Sequence, residues 1–262
     1  MRPEGAGTCA YVAGLLGEGQ TEVVGRKRHN FTSRLSEIRV VLGGRDSATY
    51  PFSIPAIVAL DRIETAPGIT FIVGENGSGK STLVEAIAIS AGLNPEGGSH
   101  NLSFETRGSE SDLHLSLELV WERHPGAKFF LRAETFYNTA TAYEGVGIRG
   151  SHELSHGESF LDAVARLIRP GSFVVMDEPE SALSVTGQLK LMCALHDLVE
   201  DGSQFVIATH SPILLTFPDS RIYRLSEEGI ASITYEESDA YQLTKSFLES
   251  PERFLRHLFA EE

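Results

Sequence analysis

Eight consecutive residues, Gly74-Glu75-Asn76-Gly77-Ser78-Gly79-Lys80-Ser81, fit the pattern G-x-x-x-x-G-K-[ST]. The chemistry such a pattern serves is phosphate binding. Its glycines let the backbone curl until several N–H groups converge on an anion. Its lysine reaches the β- and γ-phosphates of a nucleotide, and the hydroxyl beside it suits Mg²⁺. Lys80 and Ser81 hold these places, and Thr82 adds a hydroxyl for an α-phosphate. The residues expected to bind ATP are therefore Gly74, Glu75, Asn76, Gly77, Ser78, Gly79, Lys80, Ser81 and Thr82.

Two further clusters end apolar runs. Phe173-Val174-Val175-Met176 runs into Asp177, Glu178 and Pro179. A carboxylate at the C-terminal end of a buried strand faces the ligand side of an α/β sheet. Asp177 is placed to hold Mg²⁺ through the ion's water shell. Glu178 is then placed to orient an attacking water. Phe205-Val206-Ile207-Ala208 runs into Thr209-His210-Ser211-Pro212. The imidazole of His210 is positioned to hydrogen-bond a γ-phosphate and that water. Glu178, His210 and Lys80 form the expected catalytic set, and Ser81 and Asp177 the expected metal set.

Elements must bring these clusters together. Ile69–Val73 is a compact apolar run feeding the glycine loop, and Leu83, Val84, Ile87, Ala88 and Ala91 recur afterwards at helical spacing. The same logic predicts a strand near Ser36–Leu42, a short strand and a loop over 50–60, and strands over Leu113–Trp121 and Phe129–Arg132. It predicts helices over Phe160–Leu167 and Leu189–Val199. Two amphipathic helices are expected near 239–249 and 251–259, with Pro251 in a first helical turn. Strands alternating with helices imply an α/β fold with a mainly parallel sheet. Residues 1–35 are expected to form a disordered or loosely packed extension, 36–235 the main domain, and 236–262 C-terminal helices packed on it.

Composition narrows the classes. The 262 residues carry a formal net charge of −14, against the basic balance of a domain that lives on bare nucleic acid. Tight intrinsic nucleic-acid binding is thus disfavoured. The two cysteines, Cys9 and Cys193, lack metal-ligand spacing, and Cys193 lies in an apolar helical run as a buried thiol would. Such sparse usage fits a reducing compartment. No stretch approaches the length of a membrane span, so the expected location is cytoplasmic.

Taken together these segments resemble the ABC-type ATPases. Gly74–Ser81 resembles their Walker A and Phe173–Glu178 their Walker B with its catalytic glutamate. Ser181-Ala182-Leu183-Ser184 resembles the D-loop, with Ser184 where aspartate is usual, and His210 resembles the switch histidine. Leu154-Ser155-His156-Gly157-Glu158 is similar to a variant of the LSGGQ signature, placed just before the Walker B strand. The resemblance covers about residues 36–226. A narrower likeness extends to Asn94-Pro95-Glu96-Gly97-Gly98 and Pro251-Glu252-Arg253-Phe254-Leu255. It points to small stand-alone bacterial "AAA family ATP-binding proteins", similar to ABC ATPases of DNA repair and chromosome maintenance.

The resemblance implies a RecA-like core, an antiparallel β-subdomain and a helical arm, reduced here to about residues 134–160. It implies ATP and Mg²⁺ as cofactors and a head-to-tail homodimer around two ATPs. Ser155, His156, Gly157 and Glu158 would act on the partner's ATP. Glu134 stands where the family's metal-sensing glutamine is expected, and Tyr50 or Phe52 where its adenine-stacking aromatic is. The expected function is ATP hydrolysis driving a switch in an unidentified protein partner, without membrane insertion. The alternatives are a DNA-repair, maintenance or phage-defence complex, and the ATP-binding subunit of a transporter.

Overall fold

Strands apolar on both faces are stable only between two layers, and the three apolar runs at 69–73, 173–176 and 205–208 meet that condition. The computed structural model of the protein describes residues 34–41, 48–95, 98–99, 111–133 and 156–259. Its strands are β1 (Arg34–Val40), β2 (Arg62–Glu64), β3 (Ile69–Gly74), β4 (Gly98–Ser99), β5 (Leu117–Arg123), β6 (Lys128–Arg132), β7 (Phe173–Asp177), β8 (Gln204–Ala208), β9 (Arg221–Ser226) and β10 (Gly229–Ile233). The helices are α1 (Pro55–Val58), α2 (Lys80–Ser90), α3 (His156–Leu167), α4 (Val185–Glu200), α5 (Asp239–Glu249) and α6 (Pro251–Leu258).

One sheet has the order β10-β9-β3-β8-β7-β6-β4, and the strands from β9 to β6 all run parallel. Antiparallel β10 and β4 close its two edges. A second, antiparallel sheet has the order β2-β1-β5. Alternate residues of the central strands feed opposite cores. Ile72, Val175 and Val206 join α2 and the small sheet through Leu83, Ile87, Leu35 and Ile38. Phe71, Val174 and Phe205 join α3 and α4 through Phe160, Val164, Leu191 and Leu195. The result is a mainly parallel α/β core with an antiparallel β-subdomain on one face.

Buried polar bonds stitch the two sheets together. Gln204, fully buried at the start of β8, accepts from Leu35 N–H (2.7 Å) and donates to the carbonyls of Leu35 and Ala66 (both 2.8 Å).

Several expectations shift. Residues 50–60 form a turn and α1 rather than a strand, because Pro55 opens a helical turn and Ile57 packs inward. The leucine alternation from 113 breaks at the start. Asp112–Ser116 is a 3₁₀ turn that buries Leu113 and exposes Leu115, and the strand begins only at Leu117. Arg34 and Leu35 belong to β1, with Leu35 fully buried, so the domain starts before residue 36. Residues 1–33 and 134–155, the N-terminal extension and most of the arm, lie outside the described residues. The two C-terminal helices pack on each other through Phe247 and Phe254 (ring centroids 5.6 Å apart), and α5 rests against the second core through the half-buried Ala240, although neither helix fully buries a residue. Cys193 is half-buried rather than buried.

Candidate nucleotide site

The loop from Gly74 to Gly79 leaves β3 and enters α2, so α2 directs its N-terminus at the same space as the loop's N–H groups. Gly74 sits at φ 151°, where an added Cβ would fall 2.4 Å from the Leu225 carbonyl oxygen. Only glycine allows β3 to turn that close to β9. Gly77 and Gly79 also have left-handed φ values.

Lys80 is 4% exposed, and its Nζ donates to the Glu75 carbonyl across the loop at 2.9 Å. Burial lowers its pKa from the ordinary lysine value; the carboxylates of Glu178, Asp177 and Glu180 oppose that shift. All three acids therefore lie near enough to act on the same ammonium group.

Ser81, the first hydroxyl of α2, donates to Asp177 Oδ1 at 3.3 Å. Asp177 ends β7 and is buried, which raises its carboxyl pKa against the pull of Arg132. Arg132 is its Cα partner at the end of β6. The guanidinium donates to Asp177 Oδ2 (3.1 Å) and to Glu85 Oε2 (2.8 Å). Glu85 lies one turn below Ser81 on α2, so the ring Ser81–Asp177–Arg132–Glu85 closes on itself. It fixes the Asp177 carboxylate with Oδ1 toward Ser81.

A hydroxyl and one carboxylate oxygen beside an anion cradle are hard oxygen donors of the type and number Mg²⁺ takes from protein. The residues present thus fit a magnesium nucleotide. Ser81 and Asp177 would hold the ion, and Gly74–Lys80 the phosphates. Among the described residues no group of three or more His, Cys, Asp or Glu forms a metal cluster.

Glu178 follows Asp177 at φ 47°, ψ 53°, a left-handed conformation that a non-glycine residue adopts at a cost of about 1–2 kcal/mol. The turn it opens is held by Ser181, whose N–H (3.0 Å) and Oγ (2.9 Å) donate to the Glu178 carbonyl. Glu178 N–H donates to the Ala208 carbonyl at 3.0 Å, tying the ends of β7 and β8. His210 Nε2 then lies 3.5 Å from Glu178 Oε1, with both side chains partly open to solvent. This pair can polarise a water lying between it and the phosphate loop.

The structure brings Gly74–Thr82, Asp177, Glu178 and His210 to one end of the sheet. Leu154, Ser155 and Glu134 lie outside the described residues. His156 and Gly157 open α3, and the Gly157 Cα packs so close to the 179–182 turn that an added Cβ would lie 2.8 Å from the Ala182 carbonyl oxygen. Ser184 caps α4 by accepting the Gly187 N–H at 3.1 Å. Phe52 is buried in the core, which removes it as a base-stacking residue. Tyr50 is 64% exposed, and its hydroxyl is 3.0 Å from Thr82 Oγ1. A groove of about 550 Å³ is lined by Glu75–Ser78, Ile54 and the β9–β10 turn.

Sequence reasoning missed Arg132, Glu85 and Glu180. Of these, Glu85 carried a readable signal, since it is four residues past Ser81 on a helix.

Strand, phosphate loop and helix, with carboxylates on the neighbouring strand ends, define a P-loop nucleotide-binding protein. An AAA domain family model matches residues 57–124. The cytochrome c biogenesis ATP-binding export protein CcmA of Rhodopseudomonas palustris is 31% identical over 173 residues, covering 58% of this chain and 82% of that protein. The chain belongs to the ABC-type P-loop ATPases. The energy-coupling factor transporter ATP-binding protein EcfA2 of Methanospirillum hungatei is 25% identical over 232 residues, 77% of this chain, and the match spans 58% of that protein's length. Among solved structures, cbiO1 of Clostridium perfringens, part of the ABC transporter complex cbiONQ, gives a TM-score of 0.49 at 17% identity, covering 84% of this chain and 97% of that one. The SMC head domain of Thermotoga maritima gives 0.44 at 17% identity, covering 77% and 98%. No helix among the described residues is long and apolar enough to cross a membrane.

Proposed function

We propose that this chain hydrolyses Mg-ATP to ADP and phosphate, dimerising head-to-tail around two ATPs, and passes the resulting motion to a partner protein. The observation that carries the reading is the opposition of Glu178 and His210 at 3.5 Å, on strand ends that flank the phosphate loop. In this reaction Glu178 orients water for in-line attack on the γ-phosphorus. His210 donates to the γ-phosphate oxygens as charge develops on them. Lys80 neutralises charge on the β- and γ-phosphates. The Mg²⁺ ion, held by Ser81 and Asp177, supplies further charge neutralisation when bound.

Glu178→Gln keeps the size and hydrogen bonds of the side chain but not its basicity. Turnover is expected to fall by about 100-fold or more, while ATP binding persists and dimer accumulates. A Glu178→Gln protein with undiminished turnover refutes the mechanism. For the dimer, Ser155→Arg is expected to bind ATP yet sediment as monomer; normal dimerisation would remove Ser155–Glu158 from the partner's site.

A second reading concerns the partner. The relatives include several transporter ATP-binding proteins, which favours membrane transport subunits as the partner over a wholly soluble assembly. Pull-down with the Glu178→Gln protein in ATP, against membrane and nucleic-acid fractions separately, decides between them. Retention with membranes supports the transporter reading, and retention on DNA supports a maintenance complex.

A further inference from the structure

The 3₁₀ turn Pro179–Ala182 follows the catalytic strand, and its second residue turns back across the site. Glu180 Oε1 accepts the backbone N–H of His210, and the carboxylate also bonds the Thr209 side chain. Its Oε2 is buried with no partner among the described residues. Burial holds this carboxyl above the usual carboxylate range. Burying such a group is costly unless its bonds are needed, and beyond its own backbone those bonds go to one place, the loop that carries His210.

The residues on either side of His210 have ties of their own, including a turn bond from Ser211 N–H to Thr209 Oγ1 (3.0 Å). Thr209 N–H donates to Ile72 (3.2 Å), and Ser211 Oγ donates to Gln188 Oε1 (2.6 Å). Between these anchors, among the described residues, the His210 N–H is held by Glu180. The turn is itself anchored on the Glu178 carbonyl. Glu178, Glu180 and His210 thus form a short closed circuit, with Glu180 as the strut.

We propose that Glu180 is a positioning residue for hydrolysis: it holds the His210 backbone so that the imidazole stays opposed to Glu178, and it acts on turnover through His210 alone. This rests on the reading of Glu178 and His210 as the reacting pair.

The test is a double-mutant cycle with Glu180→Ala, His210→Ala and the double variant, reading kcat and KM for ATP and the Kd of a fluorescent ATP analogue. Displacing a reacting group by about 1 Å costs about 100-fold, so Glu180→Ala is expected to lower kcat by about that factor. KM and Kd should stay within about threefold of wild type. The double variant should be no slower than His210→Ala. Glu180→Gln, whose amide oxygen still accepts the His210 N–H, should recover most of the loss. Losses that multiply in the double variant overturn the proposal, as does a Glu180→Ala kcat within twofold of wild type. Nucleotide affinity falling in step with kcat also overturns it. If Glu180→Ala fails to fold, Glu180→Ser, too short to reach the loop, enters the same cycle under the same criteria. Wild type without turnover, or Glu178→Gln with normal turnover, would instead fail the underlying mechanism.

Discussion

Replacing Gln204 with leucine should separate the β-subdomain from the core sheet at one point. The amide is fully buried and spans from β8 to β1 and to the segment before β3. Leucine nearly matches its volume, so little cavity forms. What is lost is an acceptor for Leu35 N–H and a donor for the Ala66 carbonyl. The Leu35 carbonyl keeps the Thr65 hydroxyl as a donor. A buried polar group left unpaired costs about 1–3 kcal/mol, so two cost about 2–6 kcal/mol. Relief from burying the amide itself returns about 1–2 kcal/mol, leaving a central figure of about 2.5 kcal/mol. Chemical denaturation reads this directly. With a urea slope near ~3 kcal/mol/M for a domain this size, the midpoint should fall by about 1 M. Nucleotide affinity below the transition should not change, because Gln204 begins the strand whose other end carries the site. A midpoint shift under about 0.3 M at unchanged slope would mean that these bonds do not join the two sheets energetically.

Other perturbations follow from the same geometry. Lys80→Ala removes the ammonium that reaches across the loop and should weaken ATP binding by about 10- to 100-fold, as expected for a charge-assisted bond, measured by equilibrium fluorescence. Gly157→Val drives a side chain into the Ala182 carbonyl; overpacking costs about 1–3 kcal/mol, and thermal melting should report it while the P-loop still binds nucleotide. Glu180, raised by burial, binds its proton more tightly folded than unfolded. Its contribution is therefore favourable below the ordinary carboxylate value and is lost as pH rises through the raised folded one. The melting temperature of Glu180→Gln relative to wild type should accordingly rise between pH 4 and pH 7.

What was legible in the chain was whatever local pattern decides. The apolar runs at 69–73, 173–176 and 205–208 read correctly because both faces of each strand are buried, and glycine spacing marks the phosphate loop without tertiary help. The misreadings fall where one pattern serves two structures. Leu113 and Leu115 continue a strand-like alternation into a 3₁₀ turn, since only Leu113 finds a core to enter. Residues 50–60 have strand-forming types, yet Pro55 starts a helix. Arg132 and Glu180 were invisible for another reason. Their partners, Asp177 and His210, are brought near by strand register and by a turn, and neither is written in residue spacing.

Charge balance explains why those two residues sit where they do. Asp177, Glu178 and Glu180 all act on Lys80, so the site confronts an anionic ligand with three carboxylates and one ammonium. Left so, the carboxylates would repel the phosphates and each other. Arg132 takes one oxygen of Asp177 and binds Glu85 beyond it, lending that acid a cation from the side away from the phosphates. Glu180 is engaged with the His210 main chain. Glu178 is partly open to solvent, opposite His210, which suits the water-orienting role proposed for it. Asp177 and Glu180 are thus neutralised or bonded by neighbouring groups. Glu178 is instead held through its main chain, by Ala208 and Ser181, in a strained left-handed conformation.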